Sequence, residues 1–153
     1  MKIKRETSAG GIVYRLAKGE KLKAKSYVWL VTQHSQHKGW VFPKGLIGDT
    51  KENEKMEEAA LREVEEEGGV KAKIVNPVPV KVFYSYIWND MQIHKTVYYY
   101  LMEYVSGDPQ NHDWEMMDAK FMSQEEVRAI LTYPSDLQAF DTILLQNRIV
   151  NNS

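Results

Sequence analysis

Glu63, Glu66 and Glu67 are the side chains of this sequence whose types and spacing suit them to do chemistry together. If the stretch is helical, advancing about 100° per residue places all three on one arc of roughly 100°. Carboxylates held that close repel one another and weaken a helix at neutral pH. A bound divalent cation removes the repulsion, because hard ions such as Mg²⁺ prefer carboxylate oxygens. Arg62 falls beside Glu66 on the same wheel and is suited to orient a glutamate.

The element that must position them lies between Gly48 and Val70, GDTKENEKMEEAALREVEEEGGV. Alanine, leucine, arginine and glutamate are good helix formers, and Val64 is the sole β-branched residue between Glu54 and Glu67. Asp49 or Thr50 is expected to cap the start, and Gly68-Gly69 to end the helix in the left-handed conformation. With Met56 as origin, Ala60, Leu61 and Val64 form an apolar stripe beside the glutamates, and Ala59 leaves space among them.

Gly48, Glu54, Arg62, Glu63, Val64, Glu66, Glu67, Gly69 and Val70 fill every fixed position of the Nudix box, G-x5-E-x7-R-E-U-x-E-E-x-G-U, with U aliphatic. Nine specified positions in one register make a specific signal. The chain therefore resembles a Nudix hydrolase. The resemblance implies an α/β/α sandwich with a mixed sheet, over a single domain spanning residues 1–153. It also implies Mg²⁺-dependent hydrolysis, with Mn²⁺ able to substitute, of a nucleoside diphosphate linked to another group. Glu63, Glu66 and Glu67 would hold the metal. Glu115 matches a family glutamate that joins the metal site or helps activate water. Which carboxylate serves as general base is left open. In the family, the glycine of a P-K-G segment is usually itself the first glycine of the box. Here Gly45 comes three residues before Gly48. Either could offer its carbonyl to the metal; Gly45 is favoured because Pro43 and Lys44 precede it.

Three segments resemble diadenosine-polyphosphate hydrolases within the family: W-x-F-P-K-G at Trp40–Gly45, H-K-x-V at His94–Val97, and Y-P-S-D-L at Tyr133–Leu137. On that basis a diadenosine polyphosphate is the expected substrate. Lys44, His94 and Lys95 are the expected phosphate contacts, and Tyr86 and Tyr98 the expected stacking partners for adenine. The runners-up are an oxidised nucleoside triphosphate, an RNA 5′ end, and a module that binds a nucleotide without cleaving it.

Composition narrows the field. The net charge of −1 makes no electrostatic case for a nucleic-acid or membrane partner. With no cysteine, thiolate catalysis and cysteine–zinc sites are excluded. His34 and His37 lack a third histidine or cysteine nearby, so no zinc site is expected. The N-terminal residues lack the apolar core of a signal peptide, and no apolar run is long enough to span a bilayer, so a cytoplasmic protein is expected.

Around the helix, Lys4–Leu16 reads as a strand in which Gly10-Gly11 marks a bulge or close approach. Lys18–Lys25 reads as a charged turn, Tyr27–Thr32 as a buried strand and His34–Gly39 as a loop. Lys71–Trp88 gives one or two strands, interrupted by Pro77 and Pro79. Asn89-Asp90 turns the chain into a return strand, Gln92–Val105. Most of the aromatic residues on this hairpin are expected in the core. Gly107–Trp114 reads as a loop and Ala119–Met122 as a strand. Ser123 and Glu126 form a capping box for a helix to Leu131. Ser135 is expected to cap a last helix with Leu137, Phe140, Leu144 and Leu145 on its inner face.

Overall fold

The computed structural model describes residues 1–17, 26–48 and 52–149. A mixed sheet is built around two long neighbours, β1 (Lys2–Leu16) and β7 (Met91–Gly107), which run parallel from Lys2 beside Met91 to Tyr14 beside Glu103. On the far side of β1 lie β2 (Tyr27–His34), β3 (Trp40–Val41) and the short β4 (Lys44–Leu46). On the far side of β7 lie β5 (Val70–Ile74) and β6 (Val80–Trp88). A last strand, β8 (Met116–Ser123), pairs antiparallel with β2.

Helix α1 (Met56–Gly68) covers one face of the sheet, burying Ala59, Ala60 and Val64 against Val13, Leu30, Tyr100 and Met102. Burying a valine is worth about 1.5–3 kcal/mol. A like-charged pair on a helix costs roughly 0.2–0.5 kcal/mol. Packing therefore holds the glutamate-rich helix in place despite its charges. Its end is set by Gly69 at φ 73°, whose N–H reaches the Glu65 carbonyl. The opposite face carries α2 (Gln124–Ile130) and α3 (Pro134–Gln146), which bury Val127, Phe140, Ile143 and Leu144 against Trp29, Val97, Tyr99 and Leu101. The architecture is thus the expected α/β/α sandwich. Among the described residues, no helix is long and apolar enough to cross a membrane.

Several local expectations need correction. Helix α1 starts at Met56, with Lys55 at its N-cap and no side-chain cap bond. Asp49 and Thr50 lie outside the described residues. Asn53 at φ 62° cannot continue a right-handed helix, and Glu54 is drawn inward to Arg62, so the chain cannot enter the helix earlier. In α3 the N-cap is Tyr133 rather than Ser135, because Pro134 takes the first helical position, where its missing N–H costs nothing. Leu145 is 81% exposed, one step of about 100° away from Leu144, and Ile143 takes the inner position instead. Of the hairpin aromatics, Tyr99 and Tyr100 are buried while Phe83, Tyr86 and Trp88 are exposed, because the hairpin tip runs past the helices. The charged turn expected at Lys18–Lys25 falls outside the described residues.

Other expectations hold. Pro77 and Pro79 fall between two separate strands, β5 and β6. Asn89 and Asp90 both take positive φ, 49° and 59°, the geometry of a two-residue hairpin turn. Ser123 and Glu126 make both bonds of the capping box. At Gly10-Gly11 the reason is a close approach: the Gly11 N–H donates to the Pro43 carbonyl, which ties β1 to the segment leading into β4.

Candidate active site

The carboxylates gather where α1 meets β4. Arg62 organises them. Its Nε and Nη2 donate to the two Glu54 oxygens at 2.7 and 2.9 Å, and its Nη1 donates to Glu63 at 2.7 Å and Glu66 at 3.2 Å. Glu54 also accepts the Gly48 N–H at 3.1 Å, so this pair fixes the loop ahead of the helix. Glu67 accepts the Lys44 backbone N–H at 3.1 Å, which fixes β4 against the helix. Gly48 and Gly45 thus have different neighbours. A Cβ on Gly45 would lie 2.1 Å from the Glu63 carboxyl carbon, so only glycine lets that carboxylate lie against β4.

Burial acts on two of these acids. It raises the Glu63 pKa to about 7; Arg62 opposes the rise, and Glu66 and Glu115 add to it. It raises the Glu67 pKa to about 8; the Lys44 N–H and ammonium oppose the rise, and Glu63 and Glu115 add to it. An oxygen-only donor set of desolvated, repelling carboxylates beside a glycine cradle fits a hard divalent cation. Glu63 and Glu66 are turned onto Arg62 here, and among the described residues no three acidic or histidine side chains yet converge on one point. In each of these bonds the guanidinium engages one carboxylate oxygen of the two.

Beside this cluster, a second group of side chains gathers on the sheet face that carries α3. Gly45 faces α1, so by strand alternation Lys44 points to the opposite face. Burial works against its ammonium there. The negative field of Asp136 foremost, with Tyr84, Glu67 and Tyr133, outweighs that effect and raises its pKa. Asp136 is only 2% exposed and accepts the Tyr99 hydroxyl at 2.7 Å. Val97 and Tyr99 of β7 pack in the α3-side core, which puts Lys95 on the same face. Its ammonium stands 3.7 Å from Glu6. Burial, then the charge of Lys44, lowers the Lys95 pKa, with Glu6 and Glu67 resisting. The rings of Tyr84 and Tyr86 stack on this face at 6.1 Å.

His94 and Tyr98 do not join them. Tyr100 and Met102 pack under α1, so the same alternation turns Tyr98 and His94 toward that side of the sheet. The His94 Nε2 is buried without a hydrogen-bond partner among the described residues. Lys44, Lys95 and Tyr86 thus share the α3 face, with both ammonium groups in the field of Glu67, and His94 and Tyr98 lie on the opposite face. Sequence reasoning does not single out Glu6 and Asp136. Glu6 sits in a charged N-terminal run and Asp136 within the Y-P-S-D-L helix start, and neither context distinguishes a charge that faces Lys44 or Lys95 from a solvated one.

The end of β2 and the loop after it lie within the field of Lys44. The His34 and His37 rings stack at 4.2 Å, and each Nδ1 accepts a backbone N–H, from Gln36 and Gly39 respectively. Burial foremost lowers both pKa values, with Lys44 contributing to each. The Tyr133 hydroxyl bonds to the His37 Nδ1 at 3.1 Å.

The sequence matches the NUDIX domain model over residues 5–143. It is 28% identical over 141 residues to a Mycobacterium tuberculosis protein named "Putative mutator protein MutT4", covering 89% of this chain and 53% of that protein. The chain thus spans about half the length of that curated relative. Among solved structures, the Caenorhabditis elegans Ap4A hydrolase in a binary complex superposes with a TM-score of 0.65 at 24% identity, covering 92% of this chain and 98% of that one. A NUDIX hydrolase from Nitrosomonas europaea gives 0.64 at 18% identity, covering 94% and 90%. The NUDIX domain of Shewanella oneidensis NrtR, complexed with ADP ribose, gives 0.62 at 17%, covering 95% and 89%. At these identities the superpositions establish the shared fold, and the match over residues 5–143 establishes that this chain belongs to the Nudix family.

Proposed function

We propose that this protein is a metal-dependent pyrophosphohydrolase whose preferred substrate is a diadenosine polyphosphate. The observation that carries the reading is that Glu63 and Glu67 lie against β4 while Lys44 of the same strand, with Lys95 near it, stands on the other face in the field of Glu67. Glu63, Glu66, Glu67 and Glu115, with the Gly45 carbonyl, are the groups that would hold Mg²⁺ or Mn²⁺. Such an ion supplies charge neutralisation and a more acidic bound water. In the reaction a water oxygen bonds to one phosphorus, the bridging P–O bond to the next phosphate breaks, and the water's proton passes to a carboxylate of the cluster. Lys44 and Lys95 bind phosphates beyond the reach of the acidic site. Tyr84 and Tyr86 offer faces to an adenine, each stacked base being worth about 1–3 kcal/mol. Arg62 holds the glutamates in register and keeps Glu54 on the loop.

A second reading, hydrolysis of an oxidised deoxynucleoside triphosphate, draws on the likeness to a protein named as a mutator protein. One panel separates the two: kcat/KM for diadenosine tetraphosphate, ATP and 8-oxo-dGTP at one Mg²⁺ concentration, with products identified by chromatography. Diadenosine tetraphosphate is expected to lead. A tenfold advantage for 8-oxo-dGTP would reject the substrate assignment and leave the chemistry standing.

A further inference from the structure

Glu115 lies on no helix and belongs to no box, yet its main chain is held on both sides. Its carbonyl accepts two hydrogen bonds from Ser35, one from the backbone N–H at 2.9 Å and one from Oγ at 2.8 Å. Its own N–H donates to Asp113 Oδ1 at 3.1 Å. The Asp113 N–H in turn donates at 2.8 Å to the carbonyl of Glu66, in the last turn of α1. A chain of bonds therefore runs from the metal-site helix, through Asp113 and the Glu115 peptide, to the loop after β2. That loop is stiff. His34 N–H bonds to Gly39, Lys38 N–H bonds to His34, the Lys38 ammonium reaches the Ser35 carbonyl at 2.6 Å, and Gln33 reaches the Lys38 carbonyl at 2.9 Å.

We infer that Ser35 and Asp113 are positioning residues that clamp the Glu115 peptide and thereby aim its carboxylate at Glu63 and Glu67. A glutamate on an unheld loop spreads over many backbone and rotamer states, and ordering it at each turnover costs conformational entropy. Fixing the peptide from both sides removes the backbone part of that cost before substrate arrives. Two residues far apart in sequence, one on each flank, achieve this without touching the substrate. The inference rests on the reading of Glu115 as part of the metal site, and the experiment separates the two.

Mn²⁺ affinity is measured by calorimetry, and kcat and KM with diadenosine tetraphosphate, for Glu115→Gln, Ser35→Ala, Asp113→Ala, the conservative Ser35→Thr and Asp113→Asn, and the Ser35→Ala/Glu115→Gln double variant. Supporting residues of metal sites typically contribute about 10–100-fold. Ser35→Ala and Asp113→Ala are each expected to weaken Mn²⁺ binding and lower kcat within that range, with KM little changed. The conservative variants, which keep the hydroxyl or the side-chain oxygen, should recover most of the loss. On the Glu115→Gln background, Ser35→Ala should cost nothing further. Should Asp113→Ala fail to fold, Ser35→Ala carries the test, because its backbone bond survives. If Glu115→Gln leaves Mn²⁺ affinity and kcat intact, the reading of Glu115 falls and the clamp falls with it. If Glu115→Gln is impaired but the alanine variants are not, the clamp alone is refuted. The clamp is likewise refuted if Ser35→Ala loses as much on the double background as on the wild type.

Discussion

Glu67→Gln should make the metal-free protein more stable at alkaline pH while destroying its activity. Glu67 is 6% exposed, and burial foremost raises its pKa from 4.5 to about 8. A folded-state pKa above the unfolded one means that the folded chain binds the proton more tightly. The stability this confers is complete below about pH 4.5 and is lost as pH rises through about 8. A shift of that size corresponds to about 5 kcal/mol at most. Coupling to Glu63 and Glu115 shares part of it among the three acids. Glutamine keeps an oxygen to accept the Lys44 N–H, but it loses the attraction of the Lys44 ammonium and buries an amide, at roughly 1–3 kcal/mol. The balance is a gain of about 2 kcal/mol at pH 8.5, or roughly 4–8 °C in Tm for a chain of this size. At pH 5 wild-type Glu67 is already protonated, and the gain should vanish. The assay is a set of calorimetric melts in EDTA at pH 5.0, 6.5 and 8.5, repeated with excess Mg²⁺. Mg²⁺ should raise the wild-type Tm at pH 8.5 and raise that of the variant much less. Equal Tm values for the two proteins at pH 8.5 in EDTA would refute the strained-carboxylate argument.

Activity should disappear in excess EDTA and return with Mg²⁺ or Mn²⁺ but not with Zn²⁺, as a turnover assay after dialysis will show; full turnover in EDTA contradicts the metal reading. Glu66→Gln should lower kcat by more than the roughly 100-fold that a supporting residue costs, with the circular dichroism spectrum unchanged. Gly45→Ala drives a methyl into the Glu63 carboxyl and should cut kcat sharply. Gly48→Ala, at φ 79°, should instead cost about 1–2 kcal/mol of stability and spare most of kcat. Tyr86→Ala should raise KM for diadenosine tetraphosphate by the equivalent of about 1–3 kcal/mol with kcat kept, whereas Tyr98→Ala, on the opposite face of β7, should leave KM where it was.

The helix and its carboxylates are legible in the sequence because their information is local. A 3.6-residue period fixes which side of α1 is apolar, and the box fixes Glu63, Glu66 and Glu67 to one register, whatever the rest of the chain does. The sandwich follows from strand and helix order in the same way. The start of α1 is not legible, because Asp49 and Thr50 carry good capping chemistry while the true boundary depends on a tertiary contact, Glu54 drawn onto Arg62. No window of sequence around residue 50 contains that information.

The Lys44–Lys95 face is legible in composition but not in orientation. Lys95 and His94 are neighbours in a phosphate-friendly dipeptide, and Tyr98 and Tyr86 are equally good stacking partners by type. Lys95 and His94 are adjacent in β7, so strand alternation lets only one of them face the α3 side, and which one is decided by the register of β7 against β1; Tyr98 of β7 and Tyr86 of β6 fall on opposite faces for the same reason. A shift of one residue would have exchanged Lys95 for His94. That register is set by the core: Val97, Tyr99 and Leu101 fill the layer under α3 while Tyr100 and Met102 fill the layer under α1. Every residue from Val97 to Met102 is apolar or aromatic, so the sequence offers both phases. The layer between the sheet and the two helices takes Tyr99, whose hydroxyl reaches buried Asp136 across it. Which side chains face the proposed site is therefore decided by packing some distance from it. Tyr99 donates to Asp136 on the α3 side and Tyr100 to Glu57 on the α1 side, so the register that buries both rings with their hydroxyls paired is also the one that places Lys95, and not His94, beside Glu6.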